Sequence, residues 1–270
     1  MITRRFFLSA CIAGLPAMKP LAAAAEASRR LVLKSALQLD TPPYAYLDES
    51  AMTMRGALID LLNLLDEPSI GAFLHRGYPL ARVQSMVAAG TADVFCCQMT
   101  EERLSYACFA PTPIAHLARP RIFFTRDNPN AAAIAAAKSV GELYRFKTVD
   151  LIGDSRAEEI FSRHPHRTMV SETRSVVSML RTGHADFALA DPLTLQIKLR
   201  ELGVQDDISS VSGSHLCGLH PEPIHFGLRK SFPGADLLVA EVDEKIRTRL
   251  NANLRQQIMA RYVAQPGSRA

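Results

Sequence analysis

One unit recurs in this chain and limits what it can fold into: an amphipathic helix, a stopping glycine, then a short apolar strand. In the first copy, residues 78–89 read as a helix with Leu80, Val83 and Val87 on one face, Gly90 stops it, and residues 92–99 return as a strand. In the second, 93 residues later, residues 175–181 are helical, Gly183 stops them, and residues 185–190 form the strand. The junctions read Gly90-Thr91-Ala92-Asp93 and Gly183-His184-Ala185-Asp186. A helix that ends at Gly and returns as an apolar strand is a piece of an α/β layer. Two copies imply two similarly built lobes, since a solenoid needs at least about three.

The surrounding segments fit this plan. Residues 30–37 and 224–229 read as strands and 58–65 as a helix. The closing stretch, 234–262, reads as helical with Leu237, Val239, Val242, Ile246 and Leu250 as its apolar stripe. Helix-averse runs separate the copies: Phe109-Ala110-Pro111-Thr112-Pro113, Leu117-Ala118-Arg119-Pro120 and His220-Pro221-Glu222-Pro223. The expected organisation is a first lobe from residues 26–118 and 222–270, with a second lobe, 119–221, inserted into it. Two crossover segments then form a hinge on which the lobes can close.

With 48% hydrophobic residues among 270, the chain has core enough for both lobes. Its net charge of +4 is carried mostly by Arg4, Arg5 and Lys19, and the rest of the chain stands at +1. A near-neutral body gives no electrostatic case for nucleic acid, and no polybasic face for a membrane surface.

Residues 1–25 read as an export signal. Arg4 and Arg5 precede an apolar stretch to Met18, and small residues end it near Ala25. Broken by Ser9, Gly14 and Pro16, that stretch is too short to span about 30 Å of hydrocarbon. Thr3-Arg4-Arg5-Phe6-Phe7-Leu8 resembles a twin-arginine signal. Leu8-Ser9-Ala10-Cys11 resembles a lipobox, but only five residues separate Arg5 from Cys11, so lipidation is not expected. Beyond the signal stand Cys96, Cys97, Cys108 and Cys217, an even number that permits disulfides in an exported protein. Cys96 and Cys97, adjacent in a strand, face opposite sides; either one pairs with Cys108 if their strands are neighbours, or all are buried apolar residues.

Taken in order, the segments resemble the periplasmic solute-binding proteins of family 3, the polar amino-acid binders of ABC importers. The likeness runs over residues 31–262. It is carried by Thr41-Pro42-Pro43-Tyr44-Ala45-Tyr46, Gly56-Ala57-Leu58-Ile59-Asp60-Leu61, Ala92-Asp93-Val94 and Met99-Thr100-Glu101-Glu102-Arg103. In the second lobe it rests on Gly153-Asp154-Ser155 and Ala185-Asp186-Phe187-Ala188-Leu189-Ala190-Asp191, and on the return on Phe226-Gly227-Leu228-Arg229-Lys230. The resemblance implies an α/β, two-lobed type II periplasmic-binding-protein-like fold with two crossover hinges. It implies a periplasmic monomer, without cofactor, metal or catalytic residues, that delivers a small polar ligand, an amino acid, to an inner-membrane ABC permease or sensor partner.

The same resemblance assigns roles. Arg103 matches the carboxylate-binding arginine, Asp191 the ammonium-binding aspartate and Ser155 the hydroxyl of the anion cradle. Gln98, Thr100, Tyr44 and Thr41 complete the ligand-binding set. The chemistry is sound: an amino acid needs a fixed cation and a fixed acid, and a planar guanidinium can hold a carboxylate bidentately. With one partner per lobe, only the closed form satisfies both charges. The sequence departs from the pattern at Gln98, where the family places Ser or Thr, and at Leu58, where it places an acid. Asp154 is read either as an acid weakening the cradle or as a helix N-cap.

Rival chemistries are thinner. Gly153-Asp154-Ser155-Arg156-Ala157 resembles a nucleophile elbow, but the nearest acid–histidine partner is Glu222-Pro223-Ile224-His225. His215, Cys217, His220 and His225 match no zinc spacing. Exported cyclohexadienyl dehydratases share the resembled fold, and Glu172 and Glu101 are the acids such an enzyme would use here. A ligand-sensing accessory protein is the remaining alternative.

Overall fold

The computed structural model describes residues 30–213 and 220–264. The export signal expected at residues 1–25, with Cys11, and the later His215 and Cys217 lie outside the described residues. In chain order the first lobe contains β1 (Val32–Gln38), β2 (Asp40–Thr41), β3 (Ala45–Asp48), β4 (Thr53–Arg55), α1 (Ala57–Asn63), β5 (Ala72–Tyr78), α2 (Leu80–Ala88), β6 (Val94–Cys97), α3 (Glu101–Tyr106), β7 (Ala107–Phe109) and β8 (Ala115–Leu117). The second contains β9 (Arg121–Thr125), α4 (Ala131–Ala136), α5 (Val140–Leu143), β10 (Thr148–Leu151), α6 (Ser155–Phe161), β11 (Arg167–Val170), α7 (Thr173–Arg181), β12 (Ala188–Ala190), α8 (Pro192–Glu201) and β13 (Ile208–Ser212). The chain then returns through β14 (Glu222–Arg229), α9 (Ala235–Arg249) and α10 (Ala252–Ala264).

Both sheets follow one plan. In the first lobe the order is β5-β1-β6-β14-β7, with β1 parallel to β5 and β6, and β14 antiparallel to β6 and β7. In the second, β10 is parallel to β11 and meets Phe187, just before β12, through one parallel bridge; β9 is antiparallel to β12 and β13. So β9 and β14, the strands that follow the two crossovers, hold equivalent places. The crossovers also touch: β8 pairs antiparallel with the start of β14. The strand starts at Glu222, two residues earlier than expected from the sequence, and so takes in Pro223, which pairs with His116 of the other crossover.

The repeated glycine junction has a physical basis. Gly90 and Gly183 both take positive φ, 73° and 70°, where the helix turns into its strand. Asp93 then accepts the Lys34 N–H on its carboxylate at 2.9 Å and donates its own N–H to the Lys34 carbonyl at 2.8 Å. Asp186 makes the same two-way clamp on Lys147, at 2.7 and 2.8 Å. Each aspartate thus fixes its loop to an equivalent strand of its lobe, Asp93 to Lys34 within β1 and Asp186 to Lys147 just before β10.

The first core lies on one face of the six-stranded sheet, where α1 and α9 bury Leu58, Leu61, Leu62, Val242 and Ile246 against Leu33 and Phe226. Within α9, Leu238 rather than Leu237 belongs to the core: Leu237 is 80% exposed, one helical step of about 100° off the stripe. Cys96 packs against this core and Cys97 on the opposite face, with Val83, Val87 and Phe95. Cys96, Cys97 and Cys108 are free. The reason is topological: β14 separates β6 from β7, and two strand spacings of about 4.8 Å exceed the reach of a disulfide.

Candidate functional site

The lobes enclose a cavity of about 120 Å³ whose walls come from both sheets. On the first-lobe side, the Thr41–Tyr44 turn closes with the Tyr44 N–H donating to the Thr41 carbonyl at 2.9 Å. Gly56 makes this turn possible: its φ is 127°, and a Cβ there would lie 2.4 Å from the Tyr44 carbonyl oxygen. With that space open, the Tyr44 carbonyl accepts the Leu58 N–H and the buried phenol points across the cleft.

Its partner is Asp191. This residue caps α8, accepting the Thr194 N–H on Oδ1 at 3.0 Å ahead of Pro192 at the first helical turn. Oδ2 accepts the Tyr44 hydroxyl at 3.1 Å and the Ala118 N–H, in the first crossover, at 2.8 Å. Burial pushes the Asp191 carboxyl above the usual carboxylate range and, with the neighbouring Asp191 charge, drives the Tyr44 phenol well above its ordinary value. One carboxylate thereby joins both lobes and a hinge while keeping lone-pair capacity toward the cavity.

Of the residues singled out in the sequence, Thr41, Tyr44, Gln98 and Asp191 line this cavity; Thr100, Arg103 and Ser155 do not. Thr100 caps α3 by accepting the Arg103 N–H at 3.2 Å. Arg103 is 2% exposed, and the protein itself surrounds its guanidinium with acceptors. Nη1 donates to the Gln98 carbonyl at 3.0 Å, to Gln98 Oε1 at 3.1 Å and to Ser155 Oγ at 3.4 Å. Nη2 donates to the Gly153 carbonyl at 3.2 Å. The long amide at position 98 has a consequence here, since it reaches both Arg103 and, through Nε2 at 2.7 Å, Glu222. A short hydroxyl would leave those groups apart.

Sequence reasoning missed the second arginine. Arg156, on α6, lines the cavity with only 7% of its surface exposed. Its Nε donates to Glu222 Oε1 at 2.5 Å, across from α6 to the start of β14. Its Nη2 is buried and makes no hydrogen bond. Burial opposes its charge, but the Glu222 contact and the Asp154 and Asp191 charges together outweigh that and raise its pKa. Asp154 is the N-cap of α6, accepting the Arg156 and Ala157 N–H groups at 3.0 and 3.2 Å. It lines the cavity, and burial pushes its carboxyl up. A signal for Arg156 existed only in three dimensions, because its partner Glu222 is 66 residues away.

Further contacts draw the lobes together outside the cavity wall. Asp40 of β2 accepts the Thr173 N–H at 3.2 Å, its carbonyl accepts the Thr173 hydroxyl at 2.9 Å, and Lys198 Nζ lies 2.5 Å from its carboxylate. Gln84 Nε2 donates to the Gly153 carbonyl at 3.0 Å. Among the described residues no group of three or more metal-ligating side chains converges, and no helix is long and apolar enough to cross a membrane.

No family model and no curated protein sequence matches the chain. Its similarity lies in three dimensions. A histidine kinase sensor domain with similarity to periplasmic binding proteins superposes with a TM-score of 0.70 at 18% identity, over 87% of this chain and 96% of that one. The substrate-binding protein of an amino acid ABC transporter gives 0.70 at 15%, over 87% and 100%. An amino acid ABC transporter substrate-binding protein from Streptococcus pneumoniae, bound to L-arginine, gives 0.70 at 16%, over 88% and 97%. Shared sheet order, paired crossovers and these superpositions lead to one conclusion: the chain has the two-lobed type II periplasmic-binding-protein fold.

Proposed function

We propose that this protein is an exported solute-binding protein that captures a small polar ligand, an amino acid, between its lobes and delivers it to an inner-membrane ABC importer. One observation carries the reading: an inter-lobe cavity of about 120 Å³ brings an acid, Asp191, and a cation, Arg156, to the same solute-sized space. An engineered cavity of about 150 Å³ holds benzene, so the space suits a molecule of roughly six heavy atoms. A zwitterion held by these two second-lobe charges also meets the first-lobe walls, Thr41, Tyr44 and Gln98, and so stabilises the closed arrangement over the open one, which is how such a protein signals occupancy. The amino-acid transporter proteins that share the fold support this reading.

The site is one for binding without turnover. Ser155 Oγ accepts from Arg103 rather than facing a base, and His225 is buried with Nδ1 on the Ala110 carbonyl. Glu101 is exposed on α3, Glu172 is ion-paired with Arg174, and neither lines the cavity. A thermal-shift screen of amino acids, polyamines and small organic acids, with mass spectrometry of copurified ligand, tests the reading. Stabilisation by a dicarboxylate and by no amino acid refutes it, as does steady product formation from prephenate or arogenate.

A sensing role is the second reading, because a kinase sensor domain superposes as well as the transport proteins do. Deleting the gene separates the two: loss of solute uptake supports transport, whereas intact uptake with a lost transcriptional response supports sensing.

A further inference from the structure

We propose that Arg156, from the second lobe, anchors the acid group of the ligand, and that Glu222 in the returning crossover holds Arg156 in position while Arg103 serves the closed architecture alone. The proposal rests on the binding reading above and deepens it.

The argument is a count of donors and acceptors. A guanidinium offers five N–H donors. For Arg103 the protein supplies acceptors from Gln98, Gly153 and Ser155, and the cavity wall excludes it. For Arg156 the protein supplies one side-chain acceptor, Glu222 Oε1, which takes the Nε side of the fork. Nη2 stays buried and unpartnered on a side chain that lines the cavity. A buried donor without an acceptor carries a desolvation cost, and a ligand oxygen removes it once a small turn of the guanidinium uncovers that nitrogen to the cavity. Glu222 cannot easily turn to supply that oxygen, because Gln98 Nε2 holds its Oε2 at 2.7 Å. The ion pair therefore aims the guanidinium rather than saturating it.

The remaining walls define the class of ligand. Asp154 and Asp191 face the same cavity, so a second anionic group on the ligand is repelled while an ammonium is attracted. The ligand is a small monocarboxylate carrying one amine. Its acid meets Arg156 and its ammonium meets Asp191.

Glycine, L-alanine and L-serine, with L-alaninamide as the acid-free analogue, are the probes, read by calorimetry and thermal shift. The wild-type protein should bind at least one of the three amino acids and bind alaninamide far more weakly. Arg156→Gln should lose about 100-fold or more in affinity for that amino acid, and wild type and variant should bind alaninamide alike. Because Arg156→Gln leaves Glu222 without its cation, Arg156→Gln/Glu222→Gln, which keeps a neutral hydrogen-bonding pair, is measured beside it and should show the same loss. Retained amino-acid affinity in either variant overturns the Arg156 anchor and leaves the binding reading standing. Failure of the wild-type protein to bind any of the three amino acids overturns the ligand class and this proposal together.

Discussion

Two helix starts face one another across the cleft, and each presents a buried arginine. In the first lobe, Thr100 caps α3 and Arg103 turns its guanidinium onto Gln98, Gly153 and Ser155. In the second, Asp154 caps α6 and Arg156 reaches Glu222 with one nitrogen while another stays unpartnered. The two are alike in residue type and in depth, at 2% and 7% exposed. They differ in how many acceptors the protein gives them. A buried cation marks a ligand site where its own fold leaves one of its nitrogens without any acceptor.

The largest expected effect that bears on this contrast belongs to Arg103→Ala. It strips donors from Gln98 Oε1 and the Gln98 carbonyl and leaves the Gly153 carbonyl to Gln84 alone, and orphaned buried acceptors cost about 1–3 kcal/mol each. Urea denaturation should show a loss of roughly 3 kcal/mol or more. A loss below about 1 kcal/mol breaks the comparison, since Arg103 would then be holding little together.

Next come the caps. Thr100→Ala and Asp154→Ala should each cost about 1 kcal/mol, with Asp154→Ala the worse because its carboxylate accepts two N–H groups and Thr100 one. An equal or reversed order in urea midpoints would mean that burial of the Asp154 charge already cancels its capping advantage.

The smallest effect has the opposite sign. Burial raises the Asp154 pKa in the folded protein, so the folded state prefers the neutral acid. Its ionised form therefore costs stability above the raised folded pKa, and the cost fades as pH falls through that value toward about 3.9, the unfolded one. Asp154→Asn caps as well as Asp and carries no charge. It should gain no more than about 1 kcal/mol at pH 7, with the advantage over wild type shrinking toward pH 4. A gain that grows on acidification would place the cost elsewhere.

Much of the fold was legible because its signals are local. Helix, Gly and strand follow one another within about twenty residues, and the shared Gly-x-Ala-Asp junctions make the same clamp on Lys34 and Lys147. The α9 stripe was misread by one position at Leu237, since Leu237 and Leu238 are adjacent and sequence alone does not say which faces the sheet. The site divides the same way. Tyr44, Gln98 and Asp191 sit in ordered motifs, and all three line the cavity. Arg156 precedes Glu158 and Glu159, so it reads as one more charge on a solvated helix. Only the fold brings Glu222 to it and leaves a nitrogen over.

Asp40 lies outside the cavity wall, yet it holds Thr173, which is part of that wall, and Lys198 beside it. The lobes cannot separate without parting those contacts, and on the binding reading proposed above a solute between them is released by that separation. Residence time is then set in part by side chains the solute never meets, so the dissociation rate can be tuned at Asp40 while the shape and chemistry of the enclosure stay as they are.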